Sequence, residues 1–109
     1  MAIEVKYTTD FEKQLKRLSG KYPSVFKDLE GLIDELEINP DTGKSLGKNL
    51  YKIRLALSSK GRGKSGGARV ITYVLIKNDT VYLAAIYDKS EHSTIDTDRL
   101  LKVLKSLSL

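Results

Sequence analysis

Leu50-Tyr51-Lys52-Ile53-Arg54-Leu55-Ala56-Leu57 alternates apolar side chains with cations over most of its length. A strand turns successive side chains to opposite faces. Tyr51, Ile53, Leu55 and Leu57 therefore share one side, and Leu50, Lys52, Arg54 and Ala56 share the other. At a rise of ~3.3 Å per residue, Lys52 and Arg54 stand roughly 7 Å apart on that second side. Two more β-prone runs follow, Ala68 to Ile76 and Thr80 to Tyr87. The compact polar connection Lys77-Asn78-Asp79 joins them as a hairpin. Three strands this close in sequence predict an antiparallel meander.

Upstream, Ile3, Val5 and Tyr7 alternate with Glu4 and Lys6, which predicts a short first strand. Thr9 and Glu12 have capping-box spacing, and Phe11, Leu15 and Leu18 follow as one helical stripe ended by Gly20. Pro23 suits a first helical turn. Phe26, Leu29, Leu32, Ile33 and Leu36 form a second stripe, stopped by Asn39-Pro40. The acids of that helix (Asp28, Glu30, Asp34, Glu35, Glu37) read as its solvated outer face. The Gly, Ser, Thr, Lys and Asn composition of Asp41 to Asn49 predicts a loop. Leu100, Val103, Leu104 and Leu107 mark a last amphipathic helix, opening near Ser93 or Thr94. The expected order is β-α-α-β-β-β-α. This is a small single α+β domain over residues 1–109, its antiparallel sheet carrying a helical pair on one face.

Charge is distributed unevenly along this chain. Between Asp41 and Asp79 every charged side chain is basic: Lys44, Lys48, Lys52, Arg54, Lys60, Arg62, Lys64, Arg69 and Lys77. A net charge of +5 hides this polarisation, because acids dominate both flanks. Such a field attracts polyanions, of which nucleic acid is the commonest. No apolar run approaches the ~20 residues that span a bilayer, and the N-terminus lacks a secretion signal's apolar core, so a cytoplasmic protein is expected. The absence of cysteine excludes disulfide and thiolate chemistry, and a single histidine, His92, is too few for a His-based metal site.

Lys60-Gly61-Arg62-Gly63-Lys64-Ser65-Gly66-Gly67 contains a Gly-Lys-Ser triplet. It is not a nucleotide-binding phosphate loop, since Ser58 stands where the motif's first glycine belongs and the segment leads into a strand rather than a helix. No nucleophile-elbow sequence supports a serine hydrolase. What remains is a loop of backbone amides and cations, flanked by strands that bear Lys52, Arg54 and Arg69. Such a loop can follow a phosphate backbone.

The combination of a strand, a helical pair, Tyr51-Lys52-Ile53-Arg54-Leu55, the basic glycine loop, Gly67-Ala68-Arg69-Val70-Ile71-Thr72-Tyr73 and Ile86-Tyr87-Asp88-Lys89-Ser90-Glu91 resembles toxins of the RelE/ParE superfamily. The glycine loop and the Tyr87–Glu91 segment are similar to its HigB-type branch. The resemblance covers nearly the whole chain. It implies a RelE-like fold and a ribosome-dependent endoribonuclease that cuts messenger RNA in the decoding site of the 70S ribosome. It also implies neutralisation by a cognate antitoxin and no small-molecule cofactor. By resemblance, Lys52 and Arg54 match the family's basic pair, Arg69 its later strand arginine, and Lys89 its basic segment after the last strand. Ribonuclease relatives often place a second arginine and then a tyrosine beyond that segment, where this chain has Ser90 and Asp96. The acid–base group is thereby left open among Lys52, Tyr87 and Tyr73.

The chemistry needs no protein nucleophile. RNA is cut when its own 2′-hydroxyl attacks the adjacent phosphate, and the protein orients the attack, neutralises the phosphorane and handles two protons. Arg54 and Arg69 suit charge stabilisation, because a guanidinium fork matches phosphate oxygens. Tyr87 can donate to the leaving oxygen or stack on a base. Lys48, Lys60, Arg62, Lys64, Tyr73 and His92 are candidate RNA contacts. Two alternatives are a non-catalytic inhibitor binding DNA gyrase, as in the ParE branch, and a plain RNA-binding module. An acidic or amphipathic antitoxin segment is expected to cover the basic groove or pack beside it.

Overall fold

The computed structural model describes residues 3–60, 67–75, 78–91 and 95–107. The order is β1 (Glu4–Tyr7), α1 (Thr9–Lys21), α2 (Val25–Ile38), β2 (Lys44–Gly47), β3 (Leu50–Leu55), a 3-10 turn (Ser58–Lys60), β4 (Ala68–Leu75), β5 (Thr80–Asp88) and α3 (Thr97–Ser106). The strands form one sheet in the order β1-β5-β4-β3-β2. β3, β4 and β5 make the predicted antiparallel meander, and β1 joins its far edge parallel to β5.

Each sheet face carries its own core. Ile53, Leu55, Leu57, Val70, Val74, Val81, Leu83 and Ile86 pack under the helical pair against Phe11, Leu15, Leu18, Val25, Leu29, Leu32 and Leu36. On the other face, Leu50, Ile71, Ala84, Ala85 and Tyr87 pack against Leu101 and Leu104 of α3. The period-2 division of the Leu50–Leu57 run thus holds, and the cations Lys52 and Arg54 share the α3 face. That second helical layer covers only part of its face, leaving the end that bears the cations open.

Several local expectations are corrected. Residues 41–49 are not one loop, since Lys44–Gly47 pairs with β3 as an edge strand. Lys48 (φ 52°) and Asn49 (φ 68°) close that hairpin in two residues, both left-handed, as a tight turn matched to strand twist requires. Lysine is an uncommon residue there, so the turn was hidden. Thr8 rather than Thr9 caps α1, its hydroxyl accepting from the Phe11 N–H at 3.1 Å. Gly20 lies inside α1, which continues because the Tyr22 N–H donates to the Leu18 carbonyl at 2.8 Å and the Tyr22 ring is buried. Pro23 precedes the Ser24 cap instead of entering α2. This rotates the stripe, so Val25 is buried and Phe26 is 50% exposed. Helix α3 opens at Asp96, whose carboxylate accepts from the Arg99 N–H at 3.1 Å; Ser93 and Thr94 lie outside the described residues. Ile76 and Lys77, expected at the β4–β5 hairpin, also lie outside them.

Candidate active site

Antiparallel pairing decides which side chains meet. Arg54 stands opposite Arg69, and Arg69 opposite Tyr87, so these three form one row across β3, β4 and β5. The next row along the same face runs Lys44, Lys52, Ile71 and Ala85. Directly opposed residues have Cβ atoms about 5 Å apart, and like charges in that position repel. The sheet therefore holds two cationic pairs side by side, Arg54–Arg69 and Lys44–Lys52. They open into a groove of about 620 Å³ lined by Gly43, Lys44, Lys52, Ile53, Arg54, Arg69 and Lys89. Among the described residues no carboxylate lines it.

Arg69 is the most constrained of these cations. It is only 6% exposed, and its Nη1 donates to the carbonyl of its neighbour Ala68 at 3.1 Å. Among the described residues no carboxylate forms an ion pair with it. A buried guanidinium with spare donors and no counter-ion is a receptor for an anion, because burial is unfavourable until an anion arrives. Arg54 is exposed and completes the fork from the neighbouring strand.

Lys89 reaches the groove because the chain around it is tied down on both sides. Its N–H donates to the Gly67 carbonyl at 3.3 Å. Gly67 must be glycine, since a Cβ there would collide with the Leu55 carbonyl oxygen. On the helical side Asp88 is fully buried. It accepts from the Tyr22 hydroxyl at 2.6 Å, the Ser90 N–H at 2.9 Å and Lys21 Nζ at 3.2 Å. Against the opposing effect of burial, these donors hold its carboxyl well below the usual range. Arg17 grips Glu91 with two 3.3 Å hydrogen bonds, so Glu91 orients a helix cation and not one in the groove. The 88–91 turn is thus clamped to α1 while Lys89 projects the other way.

The remaining candidates separate clearly. Tyr87 is buried beside Arg69 and lines a smaller adjoining cavity with Lys52. Burial pushes its phenol above the ordinary value, partly offset by the Arg69 charge, so it stays protonated at neutral pH. Tyr73 shares the face but packs against the α3-side core, opposite Leu50, and lines neither cavity. Lys48 sits exposed at the β2–β3 turn, outside the groove lining. Lys60 ends the 3-10 turn, while Arg62, Lys64 and His92 lie outside the described residues. Lys44 and Gly43 were missed, because their segment read as a loop. The alternation of Lys44 with Ser45 and Leu46 ahead of Asn49 was the available signal.

A second depression of about 390 Å³ lies among α1, α2 and β1, lined by Tyr7, Leu15, Phe26, Leu29 and Ile33 with Glu12, Lys16 and Glu30. Its charges are mixed and do not converge. The cationic groove, where five basic side chains point at one space, is the stronger candidate for chemistry.

This architecture is the RelE-like fold, a small α+β domain whose mostly antiparallel sheet exposes one basic end. Two of the solved structures it resembles are of the E. coli RelE toxin. A double arginine-to-alanine variant of that toxin in the free state aligns with a TM-score of 0.62 and 18% identity, covering 85% of this chain and 90% of the other. The isolated E. coli RelE toxin aligns with a TM-score of 0.51 and 15% identity, covering 97% and 99%. No protein-family model matches the sequence. Among the described residues no helix is long and apolar enough to cross a membrane.

Proposed function

We propose that this protein is the toxin of a type II toxin–antitoxin pair, an endoribonuclease that cuts messenger RNA on the ribosome without a metal. The observation that carries this reading is the meeting of Lys44, Lys52, Arg54, Arg69 and Lys89, from three strands and a clamped turn, around one groove that no carboxylate lines among the described residues. A non-catalytic gyrase inhibitor has no need of such convergence. The likeness to RelE toxins and the basic, glycine-rich sequence from Lys60 to Gly67 favour the same reading, that sequence pointing to the HigB-type branch.

In this mechanism Arg54 and Arg69 take the two non-bridging oxygens of the scissile phosphate. The 2′-oxygen forms a bond to phosphorus, and the bond to the 5′-oxygen breaks, leaving a 2′,3′-cyclic phosphate and a 5′-hydroxyl. Lys52, in the row beside Arg54 and Arg69, is assigned the proton from the 2′-hydroxyl, which it accepts as the neutral amine. Tyr87, protonated throughout the working pH range, or Lys89 supplies the proton to the leaving oxygen. Fixed cations at the developing phosphorane charge are the largest single contribution expected. An acidic segment of the antitoxin reverses the activity by covering the groove and cancelling its field.

The test is expression of wild type beside Arg69→Ala, with transcript ends mapped in both cultures. Growth arrest with new ends inside coding regions is expected for wild type only. Undiminished arrest without cleavage would refute the nuclease assignment.

A further inference from the structure

Asp88 takes no part in the chemistry of the groove, yet among the described residues it is the only buried acid. Burying a carboxylate is unfavourable, and an apolar side chain of similar volume commonly serves such a position as well or better. What the carboxylate adds is geometry. Its Oδ1 accepts from the Ser90 N–H at 2.9 Å, two residues on, which turns the chain sharply at the end of β5. Its Oδ2 accepts from the Tyr22 hydroxyl at 2.6 Å and from Lys21 Nζ at 3.2 Å. Tyr22 is itself 7% exposed, and its N–H closes the last turn of α1 on the Leu18 carbonyl, so its hydroxyl is a fixed point. The far end of the same turn is held by Arg17, also of α1, through its two bonds to Glu91. Lys89 lies between these anchors and lines the groove on the opposite side of the sheet. Among the described residues it makes no ion pair, so its place is set by the backbone that carries it.

From this we infer that Tyr22 and Arg17, on the face of the sheet away from the groove, are positioning residues for RNA cleavage. Through Asp88 and Glu91 they hold the turn that delivers Lys89 to the phosphate. The inference rests on the nuclease reading above. Neither residue touches RNA, and neither changes the charge of the groove. Their effect is on the reach of one lysine, and a displacement on the order of 1 Å at a reacting centre costs about 100-fold in rate. Residues that act as a unit are not additive, so the loss on releasing the turn belongs to Lys89 and is absent once Lys89 is removed.

The experiment measures single-turnover cutting of a message on programmed ribosomes over a range of toxin concentrations. Tyr22→Phe removes the hydroxyl and keeps the ring. It is expected to lower the rate at saturating toxin by roughly 10- to 100-fold, while the half-saturating concentration moves by less than about twofold. Beside Lys89→Met, Tyr22→Phe should cost nothing further; beside Lys44→Ala it should cost its full factor. A merely structural role would lower the rate by the same factor in every background. Should Tyr22→Phe unfold, Glu91→Gln decides the matter, because it breaks an exposed pair that contributes little to stability. Its smaller loss must likewise vanish beside Lys89→Met. Wild-type cutting by Tyr22→Phe or by Lys89→Met overturns the inference, as does an equal loss from Tyr22→Phe with and without Lys89. Where Glu91→Gln is the deciding variant, wild-type cutting by it does the same. All of these leave the nuclease reading standing. Failure of wild type to cut the message removes that reading, and the inference with it.

Discussion

Replacing Arg69 with methionine is expected to make the protein more stable and inactive. The guanidinium is buried, lacks a carboxylate partner among the described residues and faces Arg54 across the β3–β4 ladder. With opposed Cβ atoms about 5 Å apart and two longer stems, a charge separation of roughly 7 Å gives about 2.4 kcal/mol of repulsion at an effective dielectric of 20. Arg54 is exposed, and solvent screening reduces this to about 1 kcal/mol. Relief of burying an uncompensated charge adds a further ~1–2 kcal/mol, consistent with the neutral-to-stabilising effect of apolar replacements at buried ionic sites. Against these stands the hydrogen bond to the Ala68 carbonyl, about 1 kcal/mol. Methionine keeps the stem's packing, so the net gain is about 1–2 kcal/mol, or about 4–8 °C in Tm for a domain of this size.

Thermal unfolding at two ionic strengths separates these contributions. Between 0.01 M and 1 M salt the screening length falls from about 30 Å to about 3 Å, so the Coulombic part of the gain should disappear while the burial part persists. A melting temperature lowered by several degrees at both salts would refute the reasoning. Arg69 would then be a structural residue, and its place in the groove would say nothing about phosphate.

Asp88→Asn is expected to cost about 3 kcal/mol near pH 7, because an uncharged amide keeps weaker bonds to Tyr22, Lys21 and the Ser90 N–H. The folded-state carboxyl titrates below its unfolded value of 3.8, so the stability it contributes is fully present above that value and is lost as pH falls through the folded one. Urea titrations of both proteins should therefore differ by a constant amount from pH 7 to 5 and converge only below pH 3.8. Binding of single-stranded RNA should weaken with salt at a slope of about −3.5 in log K against log concentration if all five groove cations meet phosphates, and Lys44→Ala should flatten it by about 0.7; an unchanged slope would take Lys44 out of the interface. Gly67→Ala should destabilise by more than ~2 kcal/mol in chemical denaturation, since the colliding atom is the Leu55 carbonyl and backbone has no rotamer to escape into.

What could be read in advance followed from period and charge; what could not depended on chain geometry that composition does not encode. The Lys52–Arg54 face was legible because side-chain alternation in a strand is obligatory and Ile53, Leu55 and Leu57 demand a core. The β2 hairpin was not, because its turn is closed by Lys48 and Asn49 in left-handed conformations without a glycine at either central position. That miss hid Lys44, although nothing about its charge was hidden. Phe26 was misplaced because one residue of error in a helix start turns the stripe by about 100°, exchanging Phe26 for Val25 in the core. The parallel seat of β1 beside β5 pairs Glu4–Tyr7 with residues 80–83, a long-range contact that local patterns do not register.

The site itself lies between these two cases. Each cation was visible singly, but their convergence depends on strand register, which places Arg54, Arg69 and Tyr87 in one row. A slip of one residue between β3 and β4 would set Arg54 against Ala68 or Val70 and send Arg69 toward the helical core. The apolar partners forbid that slip: Val70 and Ile53 must stay buried together, and Ile71 must face α3. The hydrophobic pattern thereby fixes the position of the charges. The charges of the row oppose folding, since two arginines face each other and one is buried. The core on both faces holds the row together, and an anion is the partner that would relieve it.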